Sequence, residues 1–233
     1  MAVVHVGEID NATANANSSV TLTVGTAVPV GSFVVVTIAS GSSVPSVSDS
    51  SSHTYTEWLG TDDGGEHPRL FYTTVTTQLE INDTIVVSES MMKDWAVVAN
   101  EFTGVSDPET EDTEASNNST GTAVTVTAVM TNAANLIVGM CQADPDELTF
   151  SSEDADTAGG SGWTSLTRNS QDAVGIVAHA YKVTTSAVSQ TYDPSMTGSG
   201  GGWVALLTSV EDDGGGPAPS GHVGWMGLTG VGI

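Results

Sequence analysis

The chain has 233 residues, of which 28 are acidic and 4 basic, giving a net charge of −24 with neutral histidines. That excess excludes nucleic acid and anionic lipid as partners, because phosphate surfaces bind through lysine and arginine patches that this sequence lacks. A hydrophobic content of 39% excludes a disordered chain, and the length suits one large β domain or two small ones.

The opening "MAVVHVGEIDNATANAN" has no positive n-region and only a short apolar run, so it does not read as a secretory signal. Strand signals follow. "SVTLTV" (19–24) alternates, and "SFVVVTIAS" (32–40) is a β-branched run suited to a strand buried on both faces. "TDDGGEHP" marks a turn, "TIVVSE" (84–89) another strand, and "SDPETEDTEASNNSTG" (106–121) a polar acidic connection without apolar periodicity. Beyond it, "AVTVTA" (123–128) and "NLIVGM" (135–140) read as strands, with "GGSG" and "TGSGGG" as turns. No stretch carries the period of an amphipathic helix, and none approaches the roughly 20 apolar residues of a membrane-spanning helix.

The two halves resemble each other. "VPVGSFVVVTIAS" answers to "TNAANLIVGMCQ", "YTEWLG" to "SGWTSL", "RLFYTTVTT" to "VAHAYKVTT", and "KDWAVVANEFTGV" to "GGWVALLTSVEDD". Trp58, Tyr72 and Trp95 keep step with Trp163, Tyr181 and Trp203. The expected organisation is a first sandwich half (1–105), an acidic connecting loop (106–121), a second half (122–213) and a linker with an apolar arm (214–233). The expected fold is all-β: an antiparallel, jelly-roll-like sandwich of duplicated halves. One shared sandwich is preferred to two in tandem because it leaves fewer exposed edges. Trp58, Trp95, Trp163 and Trp203, each at a strand start, are expected in the core.

Motifs for catalysis are missing. No G-x-S-x-G elbow, phosphate-binding loop or H-E-x-x-H occurs, and His5, His53, His67, His179 and His222 are scattered. Cys141, the single cysteine, sits in a strand-like run and reads as a small core hydrophobe. Glu57 with Asp62 or Asp63 has the makings of a glycosidase pair, but in so acidic a chain such pairs arise by chance. Acidic loops at 61–66, 143–148 and 151–160 offer hard oxygen ligands for calcium without the spacing of a calcium loop; solvated loops are the expectation, with no cofactor and no metal. Sequons begin at Asn11, Asn17, Asn82, Asn117 and Asn118. Tyr55, Trp163 and Tyr192, each beside a turn signal, are candidates for stacking on a sugar.

After "WVALLTSVEDD" come a flexible "GGG" and a stiffer "PAP", the composition of a linker. The following "GHVGWMGLTGVGI" spaces Val223, Trp225, Met226, Leu228, Val231 and Ile233 with glycines between. Their exposure costs about 25 cal/mol per Å² of apolar area, so this segment is expected to dock, preferentially on a neighbouring subunit.

The order of "VGSFVVVTIAS", "VPSVSDSSSHTYTEW", "LFYTTVT", "DTIVVSES" and "WAVVANEFTGV", then "NLIVGM", "GWTSL" and "AHAYKVTT", resembles a widespread group of jelly-roll proteins. These occur as tail, fibre and decoration components of tailed viruses and in some bacterial surface proteins. The likeness covers roughly residues 18–212 and includes no site motif. Arg69, Lys93, Arg168 and Lys182 cannot pair with most of the carboxylates. Such a surface repels itself unless salt shortens the screening length from about 10 Å at 0.1 M to about 3 Å at 1 M. Scarce lysine and small apolar residues also resemble proteins of extreme halophiles. Together these imply a non-enzymatic virion protein of a virus of halophilic archaea, assembled in the host cytoplasm as a homo-oligomer with other virion proteins. The alternative is a carbohydrate-binding or adhesin module that recognises host-surface glycans.

Overall fold

The computed structural model describes residues 3–40, 44–61, 67–132, 135–143, 148–158, 160, 162–171, 175–199 and 201–212. The first half contributes β1 (Val4–Thr23), β2 (Phe33–Ser40), β3 (Ser46–Asp49), β4 (Thr56–Gly60), β5 (His67–Thr74) and β6 (Thr84–Thr103). The second contributes β7 (Val105–Thr120), β8 (Val126–Val129), β9 (Asn135–Ala143), β10 (Leu148–Ser152), β11 (Thr164–Ser165) and β12 (Asn169–Gln171). It continues with β13 (Gly175–Thr184), β14 (Ser189–Tyr192), β15 (Ser195–Gly198) and β16 (Gly202–Asp212). The chain is all-β and antiparallel, as its periodicity requires.

Two large sheets dominate, with orders β1-β6-β2-β5-β4 and β7-β16-β9-β13-β11; β3 joins the first through β6 and β12 the second through β13. The orders read the same when β1, β6, β2, β5 and β4 are matched to β7, β16, β9, β13 and β11. They face each other across one core. Phe33, Val35 and Ala39 of β2 meet Leu136, Val138 and Met140 of β9 and Val204, Leu206 and Val210 of β16. The alternate residues of the same strands point outward into two further cores, as a period of two demands. Val34, Val36 and Ile38 pack with Leu22, Ile85 and Trp95, whereas Ile137, Cys141, Ala205 and Leu207 pack with Phe150, Trp163 and Tyr192. This is why β2 is buried at every residue.

The outer core of the first half is closed by bending. The start of β6 pairs with Ser19–Thr23 of β1 and with β3, whereas its end pairs with the start of β1 and with β2. Register shifts between Ala14 and Ser19 make the corner. It is fastened by the Ala16 N–H donating to Asp94 Oδ1 at 2.8 Å and the Trp95 indole donating to the Asn17 carbonyl at 2.9 Å. In the second half two-stranded sheets, β8 with β14 and β10 with β15, provide the cover. Gly104 alone separates β6 from β7, and its φ of +83° is a left-handed turn that favours glycine.

Two expectations are corrected. Residues 106–121 are not a connecting loop: Val105–Thr120 is an edge strand paired along β16. Its polar, acidic sequence hides a strand because a sheet edge is kept from sticking to other edges by charge, not by apolar alternation. The aromatic landmarks also match only in part. Tyr72 and Tyr181 both pack on the shared core, and Trp95 and Trp203 both lie in outer cores, but Trp58 faces the shared core and Trp163 an outer one. Trp58 lies inside β4 and Trp163 just before β11, and a one-residue offset turns a side chain to the other face.

Gly139 of β9 lies under the Tyr192 ring, where an added Cβ would come within 2.6 Å of Tyr192 Cγ. Gly139→Ala is therefore expected to lower stability by about 2 kcal/mol through overpacking. Gly25→Ala, with nothing within 4 Å of the new carbon, should change it by less than about 0.5 kcal/mol. Urea unfolding of the two variants checks the pair.

Candidate functional site

Three polar constellations lie within or between the halves. The first is local to the first half. Asp49 ends β3, and its buried carboxylate accepts from the Ser51 N–H (2.9 Å), the His53 N–H (3.1 Å), His53 Nδ1 (2.7 Å) and the Tyr55 hydroxyl (3.0 Å). Burial, with the Asp49 charge behind it, pushes the Tyr55 hydroxyl well above its usual range. His53 Nε2 in turn accepts the N–H groups of Thr76 and Thr77, each at 3.1 Å. An Asp–His pair at this distance has the look of a general base. Here it cannot act as one: Nδ1 carries the hydrogen, and the Nε2 lone pair that would take a substrate proton is directed at two backbone donors. The constellation ties the loop after β3 to the loop after β5. Beside it lies an open depression of about 340 Å³ lined by hydroxyls, among them Ser52, Thr54, Thr56 and Thr74, together with Tyr72.

The second joins the halves. His179 of β13 is fully buried, with Nδ1 3.0 Å from Thr37 Oγ1 of β2 and Nε2 against the Thr167 carbonyl. A carbonyl only accepts, so Nε2 carries the hydrogen and the neutral ring accepts from Thr37 at Nδ1. Burial lowers the His179 pKa to about 4, against smaller raising effects from the Thr167 carbonyl and Glu8 and a lowering effect from His5. His5 packs on Phe102 and Tyr181, with ring centroids 5.0 and 5.2 Å away, and its Nε2 lies 3.1 Å from Asn100 Oδ1. In the sequence His179 is one of five scattered histidines; its partner on β2 is 142 positions away.

The third is in the second half. Asp154 accepts from the N–H of Asp156 at 2.6 Å and the N–H of Asp193 at 3.0 Å. Partial burial, then the neighbouring Asp154 and Asp156, raise the Asp193 carboxyl to about 6. Buried Lys182 places Nζ 3.5 Å from Asp156 Oδ2 and 5.6 Å from the Trp163 ring centroid. These carboxylates spend their oxygens on loop amides and one lysine. Among the described residues no three His, Cys, Asp or Glu converge on a metal position.

The sugar-stacking trio does not form a platform. Tyr192 is fully buried against Gly139, and Trp163 is 8% exposed, 4.8 Å from the Tyr192 ring, with its indole N–H on the Thr191 carbonyl at 3.0 Å. Tyr55 is held on Asp49. Both expected loop-tip aromatics of the second half are core residues, because the turn signals beside them mark strand ends that fold inward over β9. Glu57 pairs with Arg69, its Oε1 3.2 Å from Nε, whereas Asp62 and Asp63 lie outside the described residues. So do most of the 61–66 and 143–148 loops, His222, and the arm with Val223, Trp225, Met226, Leu228, Val231 and Ile233. Sequence reading missed the Asp49 constellation, whose trace is the D-x3-H-x-Y spacing immediately after a strand. No family model, curated protein or solved structure matches the chain.

Proposed function

We propose that this chain is a non-enzymatic structural subunit of a virion from a virus of halophilic archaea, joined to its neighbours through residues 223–233. The observation that carries this reading is the shared core. Two similarly ordered sheets bury their inner faces against each other, so the chain forms one stiff block whose long strands β1 and β7 lie at sheet edges. Stiffness, not a cleft, is what a shell component requires.

The distribution of cations supports the saline setting. Arg69 and Lys182 are 2% and 1% exposed and serve internal ion pairs, which leaves only Lys93 and Arg168 as further cations in a chain with 28 carboxylates. Subunits with such surfaces approach each other only when salt screens them, and they adhere only through uncharged surface. The segment 214–233 contains no Asp, Glu, Lys or Arg.

The reading is tested by light scattering in about 2 M salt, a concentration at which the screening length falls below about 3 Å. The full chain is expected to give an oligomer, and the chain without residues 217–233 a folded monomer. An unchanged oligomer after truncation would place assembly elsewhere, and a truncated chain that does not fold would assign the segment to the core.

A further inference from the structure

Resting on the assembly reading above, we infer that the seat for residues 223–233 of a neighbouring copy is the end of the block from which the chain itself departs. Strand register defines that end. Phe33 pairs with Phe102 and Thr74, and Val4 with Thr103, so β1 and β2 start, and β5 and β6 finish, together. In the other sheet Asn135 pairs with Thr184 and Glu211, which brings the start of β9 to the ends of β13 and β16. Two contacts show that β2 and β9 run in the same sense: Thr37 to His179, and Gln142 Nε2 donating to the Ser40 carbonyl at 3.4 Å. Both sheets therefore present these termini at one end, and Asp212, paired with Val105 next to Gly104, is the last described residue there.

The same end collects exposed apolar side chains. Val4 and Val6 stand at the start of β1, 54% and 55% exposed. Val30 and Ile81, 63% and 58% exposed, lie on the loops 24–32 and 75–83. Those loops close the first half through the Val28–Leu79 bridge and the bonds from Gly31 to Val75 and from Asn82 to Val24. Val129 and Val188, 64% and 37% exposed, sit where β8 ends and β14 begins, on the matching connections of the second half. Among the described residues the other exposed large hydrophobics, Val44, Met91 and Met92, belong to the far end, near Ser40 and Trp95.

Exposed apolar side chains gathered at one end of a body this acidic call for an uncharged apolar occupant. Val223, Trp225, Met226, Leu228, Val231 and Ile233 supply one. Residues 213–222 can span at most about 35 Å at roughly 3.5 Å per residue, enough to cross to an adjoining block whose valine end is turned toward this one. Pro217 and Pro219 stiffen that span and favour delivery outward over a return to the same block. High salt strengthens the contact, because it raises the cost of leaving apolar surface in water.

Trp225 makes the inference measurable. The other four tryptophans are at most 8% exposed, so quenching by acrylamide reports on Trp225. The probe is the full chain at about 2 M salt, compared with Val30→Thr/Ile81→Thr/Val129→Thr, three exposed changes that leave the cores intact, and with Trp225→Phe as the control for the readout. In the full chain Trp225 is expected to be shielded in the oligomer and several-fold more quenchable on dilution to monomer. In the triple variant it is expected to be quenchable at all concentrations, with the mass falling to that of one chain. A triple variant that stays oligomeric with Trp225 shielded overturns this seat while leaving the assembly reading standing. A Trp225 that stays shielded in the dilute monomer overturns the neighbour as donor. An oligomer that survives truncation at residue 217 removes the assembly reading itself.

Discussion

Replacing Asp49 with alanine is expected to cost about 3–5 kcal/mol. The carboxylate holds two backbone N–H groups, the His53 ring and the Tyr55 hydroxyl, and its side chain is fully buried. Without it those donors lose their acceptor, and each one left buried and unpaired costs about 1–3 kcal/mol. The two backbone donors at Nε2 still hold the His53 hydrogen on Nδ1, so that N–H is left without its acceptor. Asp49→Asn keeps the shape and one acceptor, so it should lose about half as much. Urea midpoints for the two variants decide the matter; equal losses would show that charge, not acceptor count, holds the loop.

The second large effect is a pH dependence centred on His179. Its pKa is about 4 in the folded chain against 6.5 when unfolded, so between these values the unfolded state binds the extra proton. The contribution to stability is fully present above pH 6.5 and is lost as pH falls toward 4. The gap of 6.5 − 4 corresponds to about 3 kcal/mol at 1.36 kcal/mol per unit. Asp193 acts in the opposite direction: with its carboxyl raised to about 6, it favours the folded state as pH falls from 6 toward 4. Because Asp193 is largely exposed, solvent screening makes its share smaller. The measurement is therefore a difference, the stability of the parent minus that of His179→Gln, at pH 7 and pH 4.5 in high salt. The glutamine variant should lose markedly less on acidification, and parallel losses would place the acid sensitivity elsewhere.

Some of this was written in the sequence. Strand β2 is legible because burial on both faces selects an almost unbroken β-branched run, and β9 because it selects a continuous apolar one. The paired motifs fall on strands at matching places in the two sheets, although Trp58 and Trp163 face different cores. Edge strands left no such trace: β7 ends in the exposed polar run Ser116–Thr120, and nearly half of β1 reads as the polar run "NATANANSS". Nor could the polar contacts be read, since the partner of His179 is chosen by how two sheets meet and not by anything near it in the chain. Trp163 and Tyr192 misled because a turn signal fixes where a strand ends but not which way its last aromatic faces.

The shared core has a consequence for how the chain matures. While only the first 104 residues have been made, the faces of Phe33, Val35, Trp58 and Phe102 have nothing to lie against, because their partners are Leu136, Leu166, Leu206 and others still to come. The nascent half is thus a sheet with one finished side and one adhesive side. Its β1–β6 ladder already joins residues about 60 to 100 positions apart, as Val4 with Thr103, a long-range pairing that forms slowly. During synthesis the danger is not premature unfolding but premature partnership: two unfinished first halves on neighbouring ribosomes present each other with the same bare face. Crowded translation of this chain should therefore reward anything that delays contact, and the mutual repulsion of its carboxylates is already in place before the second half arrives.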